Sequence, residues 1–207
     1  MKTLVVTAVD AEAKAVGSPV DGRTVVAGVG RTNAAAATTL AIIAHGPFDC
    51  VLSVGLAGAL PGSNLQIGDI IAADTCVYAE EGIATPDGFH DMATLGWPLG
   101  DFEGNEVPCG PDLLRRLSDV LPICRIATVA TCSGTDALAN EIASRTHCVA
   151  EAMEGAAVVH AARLLKVPAI EIRVISNTTG DRELQKWDRE AALRSLAEAM
   201  PSVLDRL

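Results

Sequence analysis

Aromatic side chains are scarce in this chain. Only Phe48, Tyr78, Phe89, Trp97, Phe102 and Trp187 occur among 207 residues, so a protein that must stack a planar ligand has few rings for the task. Basic charge is short as well: 16 Lys and Arg stand against 26 Asp and Glu, a formal net charge of −10. Polyanion binding needs clustered cations that displace counterions, which argues against nucleic-acid and anionic-membrane partners. A small neutral substrate is compatible with this field, and an anionic one needs a local basic group. The six cysteines include no C-x-x-C pair and no His spacing suited to zinc; they read as reduced, mostly buried thiols. No metal and no organic cofactor is called for. Long apolar runs are absent too: the opening MKTLVVTAVDAEAK is broken by Asp10 and Glu12. It reads as neither a signal peptide nor a membrane span, and a cytoplasmic location is expected.

What is present is a chain 49% hydrophobic and 20% charged, the balance of a globular protein, at a length that fits one domain, residues 1–207. Short β-branched runs at Leu4–Ala8, Thr24–Val29, Val51–Val54, Asp69–Ala73, Cys124–Ala130 and Pro168–Ser176 read as strands. Between them, Thr32–His45, Asp112–Val120, Ala137–Ser144 and Glu151–Lys166 read as helices. Arg189–Arg206 closes the chain as an amphipathic helix with Leu193, Leu196 and Met200 on one stripe. Residues 83–110, with Pro86, Pro98, Pro108 and several glycines, form the longest irregular stretch, which suggests a functional loop or lid. Buried strands alternating with helices predict an α/β layer structure around a parallel or mixed sheet. Ligands in such folds bind beyond the carboxyl ends of the strands.

Two polar placements stand out. Glu154 lies among Ala152, Met153, Gly155, Ala156, Ala157, Val158 and Val159, where a carboxylate needs a partner. Downstream, Glu171 and Arg173 alternate with Ile170, Ile172 and Val174, and the strand then ends on Ser176-Asn177. These segments, together with TAVDAEAKAV, VAGVGRTNAAAATTL, VLSVGLAGAL and GDIIAADTCVYAEEG, resemble the nucleoside phosphorylase and nucleosidase superfamily over most of the chain. Within it, the Asn of ISN and the GDRELQKW that follows look most like the futalosine hydrolase family. The fold so implied is α/β: a single-domain three-layer α-β-α sandwich with a mixed central sheet, nucleoside phosphorylase-like.

The resemblance also implies roles, each of which has a plainer structural alternative. Glu12 is the general base for water by resemblance, whereas by its position it is a first-turn acid favoured by the helix dipole. Glu154 would bind the ribose hydroxyls, a contact that strengthens as positive charge grows on the sugar; otherwise it is a core carboxylate neutralised by Arg173 or Arg163. Met153 would lie beneath the sugar, or simply fill the core. Arg173 would orient the attacking water with Glu12, or pair with Glu171 two residues away. Asn177 offers an amide NH₂ and a carbonyl, which suits O6 and protonated N7 of a 6-oxopurine, where related adenine nucleosidases carry Asp; Asn at a strand end is otherwise an Asx turn. Ser176 buttresses that amide. Ser133 and Gly134 border the base, or belong to a helix cap. Gly58, in the turn Gly55–Gly62, gives close backbone approach to the sugar. Leu56 stands where these nucleosidases tend to have Ser. Trp187 or Phe89 is the candidate stacking ring, and Arg182 and Trp187 are candidates for the rest of the substrate.

The reaction expected is hydrolysis of an inosine-type nucleoside without cofactor. Phosphorolysis is the alternative within the same fold, for which only Arg31 and perhaps Arg23 accompany the glycine turns. Hydrolysis of methylthioadenosine or adenosylhomocysteine is the competing substrate reading, and a nucleoside-binding protein without turnover is the non-enzymatic one. A homo-oligomer is expected.

Overall fold

The computed structural model describes residues Met1–Leu207. Its centre is one eight-stranded sheet of β1 (Thr3–Thr7), β2 (Gly22–Val26), β3 (Cys50–Ala59), β4 (Ile70–Tyr78), β7 (Glu106–Pro108), β8 (Ile123–Thr128), β9 (Ala150–Ala152) and β10 (Ala169–Thr178). A separate hairpin is formed by β5 (Gly82–Thr85) and β6 (Gly88–Asp91). Parallel pairs join β1 to β2 and β3, β3 to β10, and β8 to β4 and β9. Antiparallel pairs join β10 to β4, β3 to β9 and β4 to β7. The sheet is therefore mixed, as expected. It also curls: β3, β10, β4, β8 and β9 pair in a closed circuit, because β3 and β10 are each 10 residues long and serve more than one neighbour.

The helices are α1 (Asp10–Val16), α2 (Arg31–His45), α3 (Met92–Leu95), α4 (Pro111–Leu117), α5 (Asp136–Thr146), α6 (Gly155–Leu164) and α7 (Arg189–Asp205). They cover the sheet in two packed groups, α2 with α6 and α1 with α7. The layered α/β arrangement follows from burial: β1 and β10 are buried on both faces, with every residue of β1 buried and all but Thr178 in β10, and a strand dry on both faces must be covered twice.

Four expectations need correction. The stretch 83–110 is not irregular, since it holds the β5–β6 hairpin, α3 and β7; elements of three or four residues are shorter than any readable period, and Pro108 is tolerated because β7 is an edge strand. The helix expected over Glu151–Lys166 begins only at Gly155, because Ala150–Ala152 extends the sheet between β8 and β3. Val51–Val54 does not enter a turn at Gly55: β3 runs on through Gly55 and Gly58 to Ala59. The buried stripe of α7 is Ala192, Leu196, Met200 and Val203, with Leu193 only half-buried at its edge.

Candidate active site

A cavity of about 490 Å³ lies beyond the carboxyl ends of β1, β3, β8 and β10. Glu12, Met153, Glu154, Ser176, Asn177, Gly58, Ser133, Gly134 and Trp187 all line it. Arg173 does not reach the cavity wall; it sits directly behind it, 1% exposed. Phe89 is elsewhere, with the Arg145 guanidinium on its ring at 4.0 Å.

Glu12 occupies the third position of α1, whose preceding residue is Val9. Its Oε2 accepts from the Ala8 and Val9 amides at 2.9 and 3.2 Å, and its Oε1 from the Leu56 amide at 2.9 Å. Closing the first turn of α1 is thus part of what Glu12 does, but the Leu56 bond ties it across to β3. A carboxylate has about four acceptor positions, so three amides leave room for one water. Leu56 contributes through its backbone on both sides, since its carbonyl accepts from Arg173 Nη1 at 3.3 Å. A serine hydroxyl is not required for that contact.

Arg173 ties the carboxylates together. Its Nε donates to Glu171 Oε1 at 2.7 Å, Nη2 to Ser53 Oγ at 3.3 Å, and Nη2 lies 3.3 Å from Glu154 Oε2. Burial works against the charge, yet Glu171, Glu154 and Glu12 together raise its pKa above the ordinary arginine value. Of the two alternatives for Arg173, the pair with Glu171 is present, and the same guanidinium also faces Glu154. Arg163 is not the partner of Glu154, being bound to Asp101. Glu154 is the residue that caps α6 rather than one within it, and its Oε1 accepts from the Gly30 amide at 3.0 Å. Desolvation raises the pKa of fully buried Glu171, with Arg173 opposing.

Glycine placement explains how these groups fit. A Cβ on Gly55 would come 2.5 Å from both Arg173 Nη1 and Glu12 Oε1, and one on Gly58 would come 3.0 Å from Asn177 Nδ2. Glycines inside a strand mark close approach; here the approaching groups include the site's own side chains. A Cβ on Gly155 would fall on the Glu171 carboxylate, which has no room to retreat. Gly155→Ala is therefore expected to lower stability by about 1–3 kcal/mol, the usual cost of overpacking, checked by chemical denaturation. A change within a few tenths would show that the pocket relaxes freely.

A bulge sets the last placement. Ile175 pairs with Ala57 but Asn177 pairs with Gly58, so Ser176 is the extra residue. Bulges re-aim side chains next to functional sites. Ser176 Oγ donates to Asn177 Oδ1 at 2.8 Å, and Asn177 Nδ2 donates to the Thr178 carbonyl at 2.9 Å. Because a carbonyl only accepts, that second bond fixes which end of the amide is nitrogen. One N–H and one lone pair remain.

Three groups on this wall were not singled out from sequence. Glu151 is buried, and desolvation raises its pKa while Ser133 opposes with its amide at 2.7 Å and hydroxyl at 2.6 Å. The Ser133 side chain is thereby engaged, and the cap of α5 is Thr135. The rule that found Glu154, a carboxylate between small apolar residues, applied equally to Glu151. Gln185 and Arg189 carried no local signal. The Cys132 thiol, desolvated and near Glu151 and Glu154, is pushed up to about 11, so it stays protonated at neutral pH and is no nucleophile. Arg31 is held by Glu80 and Glu81 at 3.3 and 2.5 Å, and neither it nor Arg23 lines the cavity.

The family model described as Phosphorylase superfamily matches residues 17–207. A futalosine hydrolase from Acidothermus cellulolyticus is 38% identical, the match covering 98% of this chain and 90% of the relative. A 5'-methylthioadenosine/S-adenosylhomocysteine nucleosidase from Aeromonas salmonicida is 26% identical over 87% of this chain and 79% of the relative. Among solved structures, the native futalosine hydrolase of Helicobacter pylori superposes with a TM-score of 0.82 at 19% identity, covering 100% of this chain and 98% of that one. At that identity the likeness speaks for the fold.

Proposed function

The chain belongs to the phosphorylase superfamily, and from that premise we propose that it hydrolyses the N-glycosidic bond of futalosine, releasing hypoxanthine. The observation that carries this reading is the fixed amide of Asn177, with one N–H and one lone pair free, in the same cavity as Glu12 and Glu154. The N–H matches O6 of a 6-oxopurine, and the lone pair accepts from N7 once the leaving base is protonated there. An adenine, with its 6-amino donor, would meet the Asn177 N–H with another donor. The relatives at 33–38% identity named futalosine hydrolase support the same choice.

The steps follow from placement. Glu12, held by three amides, takes a proton from water as the oxygen attacks C1′. The C1′–N9 bond breaks and its electron pair leaves with the base, which takes up a proton at N7 from solvent, while Glu12 returns the proton it took to solvent. Glu154, anchored by Arg173 and the Gly30 amide, binds the ribose hydroxyls and steadies the positive charge on the ring. Met153 supplies apolar surface under the sugar. Arg173 acts from behind, fixing Glu154 directly and bracing Glu12 through the backbone of Leu56, whose carbonyl it binds and whose amide donates to Glu12. We place the protein in the cytoplasm as a homo-oligomer; the strongly exposed Leu40 and Ile43 on α2 support an apolar contact between copies.

Incubation with futalosine in phosphate-free buffer is the test: free hypoxanthine should appear, and added phosphate should not accelerate it. Absence of base release, or an absolute phosphate requirement, overturns the reading. Asn177→Asp is expected to shift relative kcat/KM toward a 6-aminopurine nucleoside by roughly tenfold, about one hydrogen bond's worth. An unchanged ratio of hypoxanthine to adenine release would remove Asn177 from base selection.

A further inference from the structure

We propose that Cys76 and Cys109 are a latent disulfide: a thiol-oxidation site that hydrogen peroxide reaches through a second cavity, and whose closure locks the chain between the two residues. The site is independent of the nucleosidase reading and lies at the other end of the sheet from the active-site cavity. All six cysteines are free thiols, but these two bring their sulfurs to 3.7 Å. The ladder between β4 and β7 sets this up, because Cys76 pairs with Val107 and Cys109 stands two residues further on, its side chain on the same face. Disulfide sulfurs lie about 2.05 Å apart. A shift of about 1.7 Å shared between two side chains therefore closes the bond.

Packed sulfurs alone are ordinary, since buried thiols behave as small hydrophobes. Two further observations set this pair apart. Cys109 lines a cavity of about 300 Å³ at the amino end of β10, walled by Gly110, Val159, Pro168 and Ala169, ample for a peroxide. Arg163 and Lys166 line it too, against the single carboxylate of Asp101, which binds Arg163. Net positive charge favours the thiolate that attacks an oxidant. Cys76 is 0% exposed, and burial first, then Cys109 and Glu171, hold its thiol well above the ordinary pKa. It is thus the second thiol to react. Glu171 Oε2, buried without a hydrogen-bond partner, is the acceptor beside it.

The Cys109 sulfur attacks one peroxide oxygen, the O–O bond breaks, and the departing hydroxide takes the thiol proton, leaving a sulfenic acid and one water. The Cys76 sulfur then attacks the Cys109 sulfur and the S–O bond breaks; the Cys76 proton passes by way of Glu171 to the departing hydroxide as a second water. Two thiols are oxidised to one disulfide as the peroxide is reduced. The bond joins residues 33 positions apart and encloses the β5–β6 hairpin, α3 and β7. Since β7 is three residues long and pairs with β4 alone, the bridge reinforces a short tie. In a reducing compartment such a bond is transient and serves sensing.

The test treats the folded protein with hydrogen peroxide, blocks remaining thiols with iodoacetamide after unfolding, and maps peptides by mass spectrometry. A Cys76–Cys109 linked peptide should appear and should vanish with dithiothreitol. Cys76→Ala should give a dimedone adduct at Cys109, whereas Cys109→Ala should give none at Cys76. Amides of β7 should exchange with deuterium roughly tenfold more slowly once the bond has formed, because opening of that edge is restrained. Both cysteines alkylated after peroxide, or linked only when the unfolded chain is oxidised, would overturn the proposal and leave packing thiols. An adduct at Cys76 in Cys109→Ala would overturn the route through the cavity, and unchanged exchange in β7 the lock. The wild-type map decides even where a variant fails to fold.

Discussion

Glu12→Gln is expected to lower kcat for base release by about 10²–10⁴-fold, the range of a positioned general base, with KM little changed. The substitution keeps the shape, and one amide oxygen can still accept from backbone donors, but the NH₂ end would face either the Leu56 amide or the Ala8 and Val9 amides. Some loss of stability accompanies that mismatch. The decisive measurement is therefore kcat under conditions where thermal denaturation shows the variant fully folded. A folded variant that releases hypoxanthine at the wild-type rate would end the role of Glu12 in catalysis and reduce it to the closing acid of α1.

Arg173→Met is expected to cost about 3–5 kcal/mol of folding stability, because removing one partner of a buried ion group leaves charge uncompensated. Glu171 is 0% exposed and has one carboxylate oxygen without any partner even now. Without Arg173 its other oxygen loses its donor too, and Glu154 keeps only the Gly30 amide. Replacing Glu171 by Leu in the same chain should return part of that stability, since an apolar pair of similar size removes the stranded charge. Catalysis should not return with it. Denaturant midpoints for the single and double variants, beside kcat, separate the two roles. If the double variant regained activity along with stability, Arg173 would be a packing element only.

Much of this site was visible in the order of residues because its members are costly where they stand. Glu12, Glu154, Arg173, Ser176 and Asn177 are charged, amide or hydroxyl groups inside or beside apolar runs, and such groups persist only with partners. The long strands and the helices over Thr32–His45 and Arg189–Arg206 were legible for the same physical reason, since a sustained period of apolar residues leaves little choice. Illegible were the elements too short to show a period, β5, β6, β7 and β9, and with them the start of α6. A three-residue strand at Ala150–Ala152 reads like the first turn of an Ala-rich helix because both are apolar and small.

The sequence by itself determined the α/β class, the family, and the set of polar residues that needed partners. Which partner each one found was decided only by tertiary structure. Glu154 had two candidate arginines, and the register of β10 against β3 chose Arg173, behind Gly55. The bulge at Ser176 set the amide of Asn177 opposite Gly58, and no local pattern encodes a bulge. Gln185 and Arg189 joined the cavity only because the segment after β10 folds back onto Ser133. Propensity and periodicity act within a few residues along the chain, whereas these contacts join residues up to 124 positions apart and exist only once the sheet has curled.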